Sequence, residues 1–203
     1  MATTRSNKAS TKPVSRTQAA TRARPAADRG VSEAATSRAT GTAHPRAGTT
    51  TRLAHAPDAI ALLRADHKAV DEMFAKFEKM KSDGPAKKAL VEQICKELTV
   101  HTTIEEEIFY PAARAALKDE DLLDEAEIEH DGAKKLIAEL QRMNPGDDKY
   151  DARVTVLSEY IKHHVKEEHT EMFPKVKKTR LDLKELGAKM LARKQALTGA
   201  AGM

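Results

Sequence analysis

Two stretches of this chain carry the same ligand chemistry at the same spacing. His101–Pro111 reads HTTIEEEIFYP, and 63 residues later His164–Pro174 reads HVKEEHTEMFP. In each, a histidine precedes a glutamate by four residues and a proline by ten. Residues four apart share a helix face, so His101 with Glu105, and His164 with Glu168, can aim an imidazole and a carboxylate at one point. The same offset links His67 to His130. Three metal-capable positions, His67, His101 and Glu105, therefore map onto three others, His130, His164 and Glu168. Four neutral imidazoles and two carboxylates able to bridge suit iron or manganese. Burying such carboxylates without a cation would be costly.

The elements that must position these groups read as helices. Pro57 and Asp58 form a start signal, and Ile60, Leu63, His67, Val70, Phe74 and Phe77 recur at three- and four-residue steps until Ser82–Pro85 breaks the run. A second helix is expected over about 86–116, with Leu90, Ile94, Leu98, His101, Glu105 and Ile108 inward and with Pro111 kinking or interrupting it. A third over about 121–143 turns Leu123, Ala126, His130, Ala133, Ile137 and Leu140 inward. The fourth, about 148–178, presents Val154, Leu157, Ile161, His164, Glu168 and Met172. A last amphipathic segment, Leu181–Leu197, is expected to dock as a fifth helix.

Spacing then predicts that the ligands meet. Gly84 lies midway between His67 and His101, and Asp147, next to Gly146, lies midway between His130 and His164. In an antiparallel helical hairpin, residues equidistant from the turn stand at one height, here roughly 25 Å along the helix. The connection Ala115–Glu120 is centred near the midpoint of Glu105 and His130. An all-α, up-down-up-down four-helix bundle over residues 57–178 brings all six groups to one level, with residues 179–203 forming the C-terminal helix and a short tail.

Taken singly, a histidine on an apolar face is more often a satisfied core residue than a ligand, and one HxxxE is a common helix-surface pair. The joint pattern of six positions, one offset and matched heights favours a metal pair. His163, His169, Glu106, Glu107 and Glu167 are each a step away from a ligand, rotated about 100° around the helix. They are expected to face outward or to support the ligands, His169 foremost by hydrogen bonding near the site. His44 and His55 carry no such pattern. Cys95 reads as packing, and with one cysteine no internal disulfide forms.

The net charge of +4 conceals a split. Residues 1–56 hold ten basic residues against Asp28 and Glu33, so this segment carries +8 and the remainder −4. Its Ala, Thr, Ser, Arg and Pro offer little apolar surface to offset ordering entropy, and a disordered basic tail is expected. It reads as a solubilising arm, with weak salt-sensitive contact to nucleic acid or an anionic surface as the sharper alternative. An Arg-rich, acid-poor N-terminus also imitates an organellar transit peptide. Without an apolar signal core or a membrane-length apolar run, the expectation is a soluble cytoplasmic protein.

His67, the His101/Glu105 pair, His130 and the His164/Glu168 pair resemble the hemerythrin-like HHE cation-binding family across about residues 57–175. The LDLKELGAKMLARK stretch that follows also resembles the tail of bacterial members. The resemblance implies a four-helix bundle holding a non-haem di-iron centre. One iron would take His67 and His101, the other His130 and His164, with Glu105 and Glu168 bridging together with an oxo or hydroxo group. Oxygen-carrying hemerythrins have a further histidine where this chain has Lys134, and an aspartate at the position of His169, which argues against reversible oxygen transport. The symmetric four-His, two-Glu set is similar to members associated with response to oxygen, peroxide or nitric oxide and with iron homeostasis.

Three functions remain open at this level. The chain binds two iron ions and senses or sequesters a small ligand or iron itself; or it is a weak di-iron enzyme consuming peroxide or nitric oxide; or it is a metal-free helical interaction module with a basic arm. No general acid or base is evident beyond the ligands, and spacing makes no case for Tyr110, Tyr150 or Tyr160.

Overall fold

The computed structural model of the chain describes residues 56–117 and 120–200. The expected basic tail, with His44 and His55, and the middle of the 115–120 connection lie outside the described residues. Helix α1 spans Ala59–Glu78, α2 Pro85–Ile104, α3 Tyr110–Leu117, α4 Glu120–Leu140, α5 Tyr150–Glu167, α6 Phe173–Val176 and α7 Leu183–Ala200. A π-helical turn, Glu105–Phe109, joins α2 to α3, and a second, Glu168–Met172, joins α5 to α6. The protein is thus a four-helix bundle with α2–α3 and α5–α6 as two of its rods and α7 as a fifth helix. Among the described residues no helix is long and apolar enough to cross a membrane.

Local signals explain the boundaries. Asp58 caps α1 by accepting the Ala61 N–H at 2.8 Å. Pro85 opens α2, where its missing N–H costs nothing. The turn after α4 carries Gly146 at φ 93, a left-handed conformation glycine adopts without a Cβ clash. Lys149, at φ 65, takes the left-handed conformation just before α5.

The interruption expected at Pro111 takes the form of a widened turn. Proline has no N–H to donate, and its ring clashes with the carbonyl four residues back in a regular helix. The chain answers with an extra residue: the Tyr110 N–H donates to the Glu105 carbonyl, five residues back. At Pro174 the Phe173 N–H donates to Glu168 in the same way. Because the added residue rotates the rest of the rod about its axis, Phe109 and Tyr110 enter the core while Ile108, expected inward from unbroken helical spacing, is only partly buried.

The core is layered. Ile60, Leu63, Ile104, Phe109, Leu123 and Phe173 pack at one end with Leu186 and Met190 of α7. Phe74, Phe77, Ile94, Ile137, Tyr150 and Leu157 fill the other. A belt of buried polar groups, His67, His101, Glu105, His130, His164 and Glu168, lies between the two apolar layers along the chain. At the far end, Lys87 is also buried, its ammonium 2.7 Å from both Asp83 and Asp151 and over the Phe77 ring.

Helix α7 packs on α1, α2 and the first π turn. Contact with α1 is close enough to demand glycine: a Cβ on Gly187 would lie 2.2 Å from the Pro57 carbonyl oxygen and 2.6 Å from the Ala59 nitrogen. Those are backbone atoms with no rotamer to escape into.

Candidate metal centre

Each ligand candidate arrives from a different helical position. His67 comes from α1, His101 from the last turn of α2, Glu105 from the first π turn, His130 from α4, His164 from α5 and Glu168 from the second π turn. The six side chains converge. His67 Nε2 lies 2.9 Å from His101 Nε2, and His130 Nε2 lies 3.2 Å from His164 Nε2. Glu105 Oε2 is 3.1 Å from His101 Nε2 and 3.4 Å from His130 Nε2, so it sits between the two imidazole pairs. Glu168 Oε2 does likewise, 3.2 Å from His67 Nε2 and 3.7 Å from His164 Nε2.

Among the described residues, three groups of potential ligand atoms fall within 4.8 Å of one another: His67, His101, Glu105 and Glu168; then Glu105, His130 and His164; and, nearer the surface, Glu129, His163 and Glu167. Glu105 belongs to both of the buried groups. Glu168 joins the first group and stands farther from the second.

The opposite imidazole nitrogens are held from behind. His130 Nδ1 lies 2.8 Å from Glu106 Oε1, and His164 Nδ1 2.8 Å from Glu129 Oε2. His67 Nδ1 lies 2.9 Å from His169 Nε2. Asp66 stands 3.6 Å from His101 Nδ1, an ion-pair distance short of a hydrogen bond, and is itself held by Lys194 of α7 at 2.5 Å. A carboxylate or other acceptor behind Nδ1 fixes the tautomer and directs Nε2 inward, as the outer partners of metal-bound histidines do.

These supporting groups obey the same 63-residue offset. Asp66 corresponds to Glu129, and Glu106 to His169. Each copy's residue 66 or 129 backs the histidine of its own hairpin, whereas Glu106 and His169 each reach across to the other half. Sequence reasoning placed Glu106 and His169 beside the site but missed Asp66 and Glu129, although extending the offset by one residue on either side of the ligands would have found them.

Tyr110 was also missed. It is fully buried, and its hydroxyl donates to Glu168 Oε1 at 3.2 Å and lies 3.2 Å from His130 Nε2. Spacing from Glu105 on an ordinary helix would not place it there; the π turn does. The remaining neighbours face away. His163 is exposed and pairs with Glu167 at 3.2 Å, and Glu107 pairs with Arg193. Lys134 bonds Glu106 at 2.7 Å and points outward. Cys95 is buried, and burial pushes its thiol up to about 11, consistent with packing.

Electrostatics explain what this belt demands. Burial pushes His101 down to about 4, and burial with neighbouring His164 pushes His130 lower still, so both imidazoles are neutral at pH 7. Burial opposes charging of His164, but the carboxylates of Glu168 and Glu129 outweigh it and raise His164. Burial and the nearby Glu168 charge hold Glu105 well above the usual carboxylate range. For Glu168 burial acts upward too, but the imidazoles of His164 and His67 outweigh it and hold it low. Both Glu105 oxygens and Glu168 Oε2 are buried without a hydrogen-bond donor. Lone pairs on converging imidazole nitrogens and orphaned carboxylate oxygens are a donor set that cations satisfy and protons satisfy poorly. The residues present therefore fit a metal pair.

An all-helical bundle with a buried histidine and glutamate belt defines a class of cation-binding four-helix proteins. Residues 58–176 match the hemerythrin HHE cation binding domain, and the chain belongs to that family. Among solved structures it is similar to a hemerythrin HHE cation binding domain-containing protein from Mycobacterium kansasii, at 28% identity and a TM-score of 0.62, covering 71% of this chain and 90% of that one. It is also 28% identical over 117 residues to a DNA nickase of Nostoc sp. (strain PCC 7120 / SAG 25.82 / UTEX 2576). That match takes in 57% of this chain but spans only 32% of the nickase.

Proposed function

We propose that the chain binds two iron ions, in preference to manganese, through His67, His101, Glu105, His130, His164 and Glu168, and uses them to bind or sense oxygen, peroxide or nitric oxide or in iron homeostasis. The observation that carries this reading is the placement of Glu105 Oε2 between the two imidazole pairs, with both oxygens of that buried carboxylate lacking a donor. His67 and His101 would hold one ion, and His130 and His164 the other, with the two glutamates shared. Four imidazoles and two carboxylates leave coordination positions free on a six-coordinate count, and iron bound there would supply redox capacity and exchangeable positions. The protein's part is to keep His101 and His130 neutral, to aim all four imidazoles inward, to exclude bulk water with the apolar layers, and to hold a proton on Tyr110.

That proton supports a second reading, a weak enzyme consuming peroxide or nitric oxide. Burial with the Glu105 and Glu168 charges holds the Tyr110 phenol well above its ordinary value, so it stays a hydrogen-bond donor beside the belt. Nicking of DNA belongs to the longer Nostoc protein, of which this chain spans a third, and the metal-binding belt does not depend on it.

The test is anaerobic reconstitution of the full chain with ferrous iron, followed by metal analysis and optical spectra on adding oxygen, peroxide or nitric oxide. Two irons per chain and ligand-dependent bands are expected. Sustained turnover at stoichiometric iron would favour the enzyme. A chain that retains no transition metal, and whose stability a chelator leaves unchanged, would be the metal-free interaction module instead.

A further inference from the structure

The 63-residue offset also relates two surface clefts, one beside each half of the polar belt. In the first, Arg64, Lys68, Lys162 and Lys166 rim a cavity of about 360 Å³, with Asp71 its one acidic lining residue among those described. Phe74, Ile161 and Val165 line its apolar wall, and His67 and His169 border it. In the second, Glu106, Asp124, Glu127 and Asp131 border a cavity of about 560 Å³, with Lys134 the basic lining residue. Arg64 corresponds to Glu127, Lys68 to Asp131, Asp71 to Lys134 and His169 to Glu106. These three charged pairs are opposite in sign and His169 is an imidazole opposite a carboxylate, while Lys162, Lys166 and Asp124 correspond to the uncharged Thr99, Thr103 and Ala61.

The two clefts differ further in whether their charges are already matched. In the acidic one, Arg114 holds Asp124 at 2.7 Å and Glu127 at 2.9 Å, while Lys134 holds Glu106 at 2.7 Å and Asp131 at 3.5 Å. In the basic one, Lys68 pairs with Glu72 and Lys162 faces Glu78 at 3.6 Å, both on exposed surface where such pairs contribute little. Arg64 and Lys166 pair with no carboxylate among the described residues. Arg64 is instead held with its guanidinium 5.6 Å from the centre of the Phe173 ring.

Cations without counterions above an apolar wall complement an anionic head on a compact apolar body. The volume lies at the small end of ligand pockets, about 300–1,000 Å³, and exceeds what an inorganic ion would fill. We propose that this cleft binds an organic carboxylate with a short apolar tail, the head pairing with Arg64 and Lys166 and the tail lying on Phe74, Ile161 and Val165. The bound molecule would sit against His169, which holds the Nδ1 of His67. The groups that would hold head and tail, Arg64, Lys166, Phe74, Ile161 and Val165, lie outside the proposed ligand set, and His67 only borders the cleft, so binding with and without metal is expected.

Octanoate is a suitable probe, titrated calorimetrically into the full chain at low salt, with and without iron. Saturable one-to-one binding in both forms is expected, weakened tenfold or more in Arg64→Glu/Lys166→Glu and weakened by added salt. Arg64→Gln/Lys166→Gln serves where charge reversal disturbs folding, with melting temperature as the check that either variant is folded. Octan-1-ol and inorganic phosphate should each bind at least tenfold more weakly than octanoate. Absence of saturable octanoate binding, binding that the double variants leave unchanged, or equal affinity for the alcohol or for phosphate would overturn the proposal.

Discussion

Tyr110 and Phe173 stand at equivalent places in the two halves, 63 residues apart, and only Tyr110 brings a hydroxyl to the belt, 3.2 Å from both Glu168 Oε1 and His130 Nε2. On the other side Phe173 stacks against His67 with ring centres 6.1 Å apart. The pseudo-twofold arrangement is therefore chemically one-sided, with a phenol next to His130/His164 and a hydrocarbon ring next to His67/His101.

Tyr110→Phe makes the two sides alike. It removes the donor to a buried carboxylate, a loss of about 1–3 kcal/mol where the oxygen is left unsatisfied. The variant is expected to retain as much iron as the parent on reconstitution, melt lower than the parent and show altered optical bands with peroxide or nitric oxide. Identical bands and melting temperature would remove Tyr110 from the site.

Glu105→Gln separates binding from stability. A buried carboxylate with no donor destabilises the metal-free fold, and an amide of the same shape relieves the charge. Without metal the variant should melt a few degrees higher than the parent, since about 1 kcal/mol shifts a domain of this size by about 2–4 °C. With iron the order should reverse, because a carboxylate oxygen proposed to serve both ions is lost. Thermal unfolding with and without iron reads both.

The pH dependence stems from His101 and His130, whose folded values lie below the ordinary histidine value. Below about pH 6.5 the unfolded chain takes up protons that the folded chain refuses, so stability falls as pH drops from about 6.5 towards 4. Glu105 acts the other way in the metal-free form: its raised folded value means that stability is lost as pH rises from the ordinary glutamate range through that raised value. Urea unfolding from pH 4 to 8 should show His101→Gln flattening the acid limb and Glu105→Gln flattening the alkaline one. Iron should be released on acidification as the imidazoles protonate.

Helix α7 tightens the site through Lys194, Asp66 and His101. Burial of Asp66 opposes its charge, but His101 and Lys194 outweigh it and hold its carboxyl below the usual range. Asp66→Ala should weaken metal binding about 10–100-fold, the usual cost of losing an outer partner of a ligating histidine. Lys194→Ala should do so less. Competition with a chromogenic chelator measures both, and unchanged affinity in Asp66→Ala would show that His101 needs no support.

Gly187→Ala should undock α7 from the start of α1, since the added methyl meets Pro57 and Ala59 backbone that cannot rotate away. Limited proteolysis should then cut within Leu183–Ala200, and melting should fall by several degrees. A variant that resists the protease like the parent would place the close approach elsewhere.

Helical periodicity, two hairpins hinged at Gly84 and Gly146, and one internal offset were enough by themselves to assemble an all-α bundle and to group His67, His101, Glu105, His130, His164 and Glu168. Such information is local: side-chain period and distance from a turn determine face and height without knowledge of neighbours. Ile108, Tyr110, Asp66 and Glu129 lay beyond its reach for two physical reasons. A proline-driven π turn changes the phase of everything after it by one residue, so Phe109 and Tyr110 point where Ile108 was expected. The partners behind His101 and His164 come from other helices, and only packed rods show which carboxylate faces which nitrogen.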